Sequence, residues 1–514
     1  MRLSTITGAV ATALVLFLTL GTLGIVALRA EGAGRLTPSD WAAIRFTVVQ
    51  AAISAALSIL LAIPVARALA RRQFPLRSLL VTLLGAPFVL PVIVAVLGLL
   101  AVFGRNGVVS QALGLFGFEP LSIYGFHGVI LAHVFFNLPL ATRFILQGWT
   151  TIPSERLRLA ASLGFRPLDT FRHLEWPMLR AVVPGAFLVI FLICTTSFAV
   201  ALTLGGGPRA TTVELAIYQA FRFDFDLGKA ALLGLIQFAI GATAAALAFS
   251  VTRISASAPG IDRPMQFWGV SGQLLRVQDA TAILLVGLFL VTPLAMVLIK
   301  GIPQIISLPA PVYDAMLRSI LIALSSAVLT LFLAGAMAIL ATRLRRGQWI
   351  EAVGYVSIAA SPLVIGTGLF ILIFPFFNPV ALALPITAVV NAVMALPFAL
   401  RTLTPALAQV ETDFGKLADS LGIKGWARLR LVILPRLRRP IGFALGLAAA
   451  LSMGDLGVIA LFGDPERATL PLQMYRLMAS YRVDDAAGAA VLLLGCALAL
   501  FWVFDRGGRM NADT

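Results

Sequence analysis

The sequence predicts an all-α polytopic membrane protein, with about twelve transmembrane helices arranged as two parallel six-helix repeats. Three observations carry that prediction. Of the 514 residues, 60% are hydrophobic and 12% charged, and the mean hydropathy is +0.97, more apolar surface than a water-soluble core can bury. The apolar residues gather into runs of about twenty, the length that crosses a hydrocarbon core of roughly 30 Å at about 1.5 Å per residue. A charged interval, Ser154 to Pro177, recurs without a gap 258 positions later at Thr412 to Pro435.

The first apolar run, 6–28, is too long for a secretory leader and is followed by a poor cleavage site, Leu28-Arg29-Ala30, so it is expected to be the first span. Five more follow at 43–66, 78–103, 124–146, 181–204 and 229–252. The second set falls at 280–300, 315–342, 350–375, 380–401, 440–462 and 486–505. The chain therefore divides into an N-terminal six-helix half (1–252), a linker rich in Ser, Pro and Gly (253–279) and a C-terminal six-helix half (280–514). Trp41-Ala42-Ala43-Ile44 corresponds to Tyr313-Asp314-Ala315-Met316 at the start of a span, and Arg71 to Arg343 at its end. Both halves then have the same orientation, and their pseudo-two-fold axis stands along the membrane normal.

The formal net charge is +16. In so apolar a chain this is a topology signal and an attraction to anionic membrane lipids, and no nucleic-acid partner is needed to explain it. Most of the basic residues gather on one side if both termini are cytoplasmic, which places the duplicated loops in the cytoplasm. Cys194 and Cys496 lie in apolar runs and support neither a disulfide framework nor a metal site. The nearest approach to a phosphate-binding loop, Gly228-Lys229-Ala230, lacks the upstream glycine and the hydroxyl. His127, His133 and His173 are scattered, so a hydrolytic constellation is not expected. The chain is therefore expected not to be an enzyme, and to draw energy from another subunit or an ion gradient.

The duplication is densest around the charged interval. Aligning Pro139–Arg180 with Pro397–Arg438 matches Leu159, Ala160, Ser162, Leu163, Gly164, Arg172, Pro177 and Arg180 with their own kind, among twelve identities. Each copy predicts a short helix, Glu155 to Leu163 and Asp413 to Leu421, closed by a left-handed glycine, Gly164 or Gly422. Pro177 and Pro435 suit the first turn of the next helix. Ala160 with Gly164, and Ala418 with Gly422, lie one turn apart and predict a shallow strip that admits a partner's surface. Two equivalent strips imply a two-fold partner.

A small residue, a glycine four positions later and a Leu-Pro thirteen beyond that resembles the EAA loop of ABC importer permeases. Arg158 and Lys416 stand where that motif has glutamate, Leu159 and Leu417 replace its first alanine, and Trp176 replaces the leucine of the first copy. The resemblance implies that Glu155, Ala160, Gly164, Pro177, Asp413, Ala418, Gly422 and Pro435 couple the chain to an ATPase homodimer. It also implies that ATP and Mg are held by that ATPase, with no cofactor bound by this chain. A periplasmic substrate-binding protein would deliver cargo to the bacterial inner membrane. Leu131–Arg143, Leu202–Ala220 and Ser452–Gly463 resemble, within the family, the fused two-half permeases that import thiamine, and leave thiamine phosphates open. The alternatives are a ferric iron importer of the same family and a proton-coupled secondary transporter using Asp455 or His133.

Charges and amides inside spans are costly and face a cavity or a partner. Asp455, expected mid-span, aligns with Ser197 and would either line a path for a cation or pair with a neighbouring helix, and aromatics such as Phe198 or Phe136 would suit an aromatic cation there. His133 and Asn137 share one helix face and either line a pore or join helices. The long outward loops, Gly205–Gly228 and Gly463–Gly488, carry Arg209, Glu214, Asp224 and Asp226 in one and Glu466, Asp484 and Asp485 in the other. Their mixed charge suits docking of a soluble partner.

Overall fold

The computed structural model describes residues 2–30, 35–85, 89–205, 207, 210–251, 272–344, 347–462 and 467–509. Among these the regular elements are all helical. Among the described residues, eleven helices are long and apolar enough to cross a membrane, or twelve if one pair bent by 86° counts as a span.

In the first half α1 is Thr5–Ala30 and α2 is Pro38–Arg71, opened by a capping box between Thr37 and Asp40. Short helices follow: α3 (Arg77–Leu83), α4 (Val92–Phe103) and α5 (Val108–Gly114). Next come α6 (Phe126–Thr150), α7 (Ser154–Ser162) and α8 (Pro167–Thr195), then α9 (Phe198–Leu204), α10 (Val213–Arg222) and α11 (Leu227–Val251). The second half repeats the order with α12 (Gln273–Gly301), α13 (Ala310–Arg343), α14 (Gln348–Ala359), α15 (Pro362–Ile373) and α16 (Ala383–Ser420). It ends with α17 (425–453), α18 (Gly457–Phe462), α19 (Leu470–Ala479) and α20 (Val483–Arg509).

Several expected boundaries change for local reasons. The expected span 78–103 is divided into α3 and α4. The expected span 350–375 bends where Ser361 caps α15 by accepting from the Leu363 amide at 3.1 Å. The spans expected at 181–204 and 440–462 are interrupted after Thr195 and Met453. The span expected at 380–401 continues to Ser420, because the second half has Glu411 where Pro153 ends the equivalent helix in the first. The expected linker 253–279 is shorter at its C-terminal end. Residues 273–279 are the first turns of α12, and Asp279 is buried in an ion pair with Arg72 at 2.7 Å. Residues 252–271 lie outside the described residues.

The first helix of each half packs across the pseudo-two-fold. Besides the last helix of its own half, α1 packs on α13 and α15, while α12 packs on α2 and α4. Glycines permit both crossings at matching places. A β-carbon on Gly98 would fall 2.6 Å from the Pro293 carbonyl oxygen, and one on Gly368 would fall 2.7 Å from Thr22 Cβ. Polar contacts repeat too: the Val213 amide donates to Thr47 Oγ1 at 2.9 Å, and the Leu470 amide donates to Ser319 Oγ at 2.8 Å. Each fixes the start of a short helix, α10 or α19, against the second helix of its half by supplying an acceptor for an amide that helix geometry leaves unpaired.

Candidate functional site

Two regions stand out: the paired loops at the basic end of the bundle, and the paired helix breaks in its interior. At the loops, α7 and the last turns of α16 close identically. Phe165 N donates to Ala160 O at 3.0 Å and Gly164 N to Ala161 O at 3.1 Å. In the second copy Ile423 N donates to Ala418 O at 2.9 Å and Gly422 N to Asp419 O at 3.1 Å. This is the Schellman pattern, and both glycines have φ +67° as it requires.

Of the small residues, Gly164 and Gly422 are exposed, whereas the alanines face the other way from expectation. Ala160 and Ala418 are 6% and 2% exposed, so they let each helix settle on its own membrane body rather than receive a partner. What projects is a matched surface, Glu155, Arg158, Leu159 and Leu163 in one copy and Asp413, Lys416, Leu417 and Leu421 in the other, all exposed. Leu159, Leu163, Leu417 and Leu421 are 55–65% exposed, an apolar pair on each knob flanked by an acid and a base.

Pro177 and Pro435 stand, as expected, in the first turn of an α-helical segment, Trp176–Thr195 or Leu434–Met453, but neither segment begins a new helix. Each lies inside a longer helix, directly after a π-turn, Phe171–Glu175 or Leu429–Ile433. The wider turn shifts the hydrogen-bond register, with Trp176 N reaching Phe171 O and Leu434 N reaching Leu429 O, so the proline's missing donor is absorbed without ending the helix. The two loops are held by different charges, the first to the body and the second within itself. Glu175, 1% exposed, holds Arg67 at 3.0 Å and Arg71 at 2.5 Å. In the second copy Arg428 binds both Glu411 and Asp419.

In the interior, α8 stops at Thr195 and leaves carbonyls without helical partners. Gln50 Nε2 donates to Cys194 O at 3.0 Å and Gln237 Nε2 to Thr195 O at 2.8 Å. His133 and Asn137 belong to the same buried network. Ser54 Oγ lies 3.4 Å from His133 Nδ1, and Asn137 Nδ2 donates to His133 O at 2.8 Å and approaches Cys194 Sγ at 3.3 Å. Both residues are at most 3% exposed, so here they join α2, α6 and α8 rather than face an open channel.

Asp455 is not within a continuous helix. It stands in the break between α17 and α18, where its Oδ1 accepts from the Gly457 amide at 3.2 Å and so caps α18. Asn391 donates to Ser452 Oγ at 3.0 Å and reaches the Asp455 side chain, whereas Asp455 Oδ2 is buried with no hydrogen-bond partner among the described residues. Ser197 is the residue before α9 and makes no side-chain cap. The two breaks meet across the pseudo-axis: a β-carbon on Gly457 would stand 3.6 Å from Asp455 Oδ1 and 3.8 Å from Phe198 Cδ1. Phe198 packs edge-on against Tyr218 of α10 with centroids 5.3 Å apart, and Tyr475 of α19 lies close enough to Tyr218 to interact electrostatically. Tyr218 and Tyr475 are missed by the sequence reading, although they occupy matching positions in the two copies.

The residues expected to dock a soluble partner separate. Asp224 and Asp226 are exposed, and Asp226 Oδ1 accepts from Lys229 N at 2.9 Å. Asp484 is exposed and Asp485 pairs with Arg482 at 2.5 Å. Glu214 is fully buried, close to the Ser361 hydroxyl, and cannot form part of a docking face. Its helix turns that face inward, and burial pushes its carboxyl up to about 7. Arg209 and Glu466 lie outside the described residues. The turns carry a signal not read from sequence: Phe225 and Tyr481, at matching places, adopt φ +52° and +61° and are 79% and 91% exposed. Left-handed backbone at non-glycine residues costs energy and concentrates at functional surfaces.

Residues 331–506 match the profile of the family described as binding-protein-dependent transport system inner membrane component. Over 524 aligned residues the chain is 40% identical to the thiamine transport system permease protein ThiP of Brucella abortus strain 2308, covering 99% of this chain and 96% of that protein. It is 40% identical to the protein of the same name from Escherichia coli K12 (92% and 90% covered) and 36% identical to that from Haemophilus influenzae (88% and 86% covered).

Proposed function

We propose, of a chain that belongs to the family of binding-protein-dependent transport system inner membrane components, that it is the permease of an ATP-driven importer and that its cargo is thiamine. The observation that carries the cargo is the 40% identity over 99% of the chain to a thiamine transport permease. The apposed helix breaks are compatible with it. Thiamine carries a fixed positive charge on an aromatic ring, and a path with the Asp455 carboxylate beside the Phe198 and Tyr218 rings offers ion pairing and cation-π contact, worth about 0.5–2 kcal/mol. Ser197, on the opposite break, completes the lining, and His133 and Asn137 join it when the bundle opens.

Both termini and the duplicated knobs face the cytoplasm in this proposal, consistent with the crowding of arginines at that end. Two identical ATPase subunits, which hold ATP and Mg, engage the knobs at Glu155 to Gly164 and Asp413 to Gly422. A periplasmic binding protein settles on the opposite end, around Phe225, Tyr481, Asp224, Asp226, Asp484 and Asp485. ATP closure of the ATPase pair pulls the knobs and rocks the halves between inward-open and outward-open states. The ATPase drives this only insofar as it binds one of the two states more tightly.

The test is uptake of labelled thiamine into proteoliposomes holding the permease, with ATPase inside and binding protein outside. Uptake that needs both proteins and internal ATP is expected. Uptake that persists without the ATPase and collapses with a protonophore would instead identify a proton-coupled carrier. ATP-dependent uptake of ferric iron but not thiamine would replace the cargo.

A further inference from the structure

At the basic end, α17 and α20 enclose a groove of about 630 Å³, within the roughly 300–1,000 Å³ range of sites that hold small ligands. Its floor is tight: a β-carbon on Gly442 would fall 2.4 Å from Phe504 O and 2.9 Å from Gly508 Cα. Its walls are apolar, formed by Leu434, Ile441, Leu445 and Val503. Val503 and the neighbouring Trp502 are 54% and 57% exposed, which marks this side of the bundle as bilayer-facing. Two guanidiniums, Arg430 and Arg438, line the same groove.

The surrounding basic residues are committed elsewhere. Arg436 lies over the Phe414 ring at 3.8 Å, Arg506 over Trp502 at 5.0 Å, and Arg509 binds Asp505 at 2.8 Å. Arg430 and Arg438 are exposed and have no ion-pair partner among the described residues. Both are also retained by the internal duplication, as Arg172 and Arg180, likewise exposed. An uncommitted pair of guanidiniums lining an otherwise apolar, membrane-facing cleft is complementary to one kind of molecule: an amphiphile with an anionic head and an acyl tail.

We propose that the α17–α20 groove is a binding site for an anionic phospholipid, its phosphate held by Arg430 and Arg438 and its upper chain lying along Leu434, Ile441 and Val503. Arginine suits this role because its planar fork pairs with phosphate oxygens bidentately, and basic pockets between membrane helices recognise such headgroups. The site lies directly after the second coupling knob, so lipid there would steady the helix that the knob moves. The inference does not depend on the cargo.

The test uses the full-length permease, delipidated and reloaded with phosphatidylglycerol or phosphatidylcholine, with bound lipid counted by native mass spectrometry in the absence of ATPase. Wild type should retain phosphatidylglycerol in preference to phosphatidylcholine. R430Q/R438Q should weaken that retention about tenfold, in keeping with the loss of charge-assisted bonds, and R436Q should leave it unchanged. V503W, which fills the cleft and keeps both arginines, should also displace the lipid. Equal retention by wild type and R430Q/R438Q, or equal retention of the two lipids by wild type, overturns the proposal. So does displacement by millimolar inorganic phosphate alone, which would indicate a free-anion site. A defect confined to ATPase binding, with lipid retention intact, would assign the arginines to the protein partner.

Discussion

Gly164 and Gly422 have open space around them, since a β-carbon on either would meet nothing within 4 Å. Their φ of +67° is what excludes other residues, at a cost of about 1–2 kcal/mol for an ordinary side chain. Gly164→Val with Gly422→Val should therefore leave the bundle folded but distort both knobs, lowering ATP-driven uptake at least about tenfold, whereas Gly→Asn at both sites, tolerated in this conformation, should retain most of it. Uptake and purified yield measured together distinguish uncoupling from misfolding. Glu214 makes a second residue-scale prediction. Below pH 4.5 its carboxyl is protonated whether folded or unfolded, so its contribution is fully present. As pH rises to about 7 the unfolded state ionises first, and the contribution is lost. Thermal stability in detergent should fall across that window by on the order of 3 kcal/mol, and Glu214→Gln should flatten the fall. Equal slopes for wild type and variant would show that the carboxyl is not held neutral. At this scale the sequence is informative about chemistry and poor about direction. The spacing of Ala160 and Gly164 is plain in it, but whether Ala160 faces partner or body depends on how α7 rolls against its neighbours, and no local pattern encodes that roll. Glu214 shows the same limit, since it is a loop acid in sequence and a core acid in space.

At the scale of elements, apolar runs locate spans well and their interruptions badly. In a membrane core nearly every position is apolar, so periodicity weakens and a break such as Thr196-Ser197 or Gly454-Asp455 leaves little trace. The breaks nevertheless position Asp455 and Phe198, because a carboxylate and uncapped amides meet only where a helix ends. Asp455→Asn should preserve the cap to Gly457 while removing the charge. Thiamine uptake should then fall with little change in melting temperature, and unchanged uptake would remove Asp455 from the path. The π-turns before Pro177 and Pro435 are equally hidden, since a first-turn proline in sequence does not show that its helix continues from an earlier one. Helix crossings make a packing prediction. Gly98→Leu or Gly368→Leu must displace α12 or α1, and overpacking of this kind costs about 1–3 kcal/mol. Either variant should melt earlier in detergent, while Gly287→Leu, at a position with nothing within 4 Å of a β-carbon, should not.

At the scale of the molecule, the duplicated interval makes the two-fold architecture legible in the sequence. The exchange of first helices is not, because nothing local distinguishes a span that packs on its own half from one that crosses. The crossing joins the halves, so that in the proposed cycle a pull on one knob would be felt by helices of both. Glu175 with Arg67 and Arg71 braces one knob against the bundle, whereas Arg428 with Glu411 and Asp419 ties the second knob to the start of the helix that follows it. The two handles are therefore geometrically alike and chemically unequal. The most direct measurement is cysteine crosslinking from Leu163→Cys and Leu421→Cys to the ATPase in inside-out vesicles, compared with Tyr481→Cys. Positions 163 and 421 are predicted each to capture an ATPase subunit and to be shielded from impermeant thiol reagents by it, with position 481 reacting only from the opposite face. Labelling of 163 and 421 from the face that labels 481, or capture of ATPase at neither, would contradict the account.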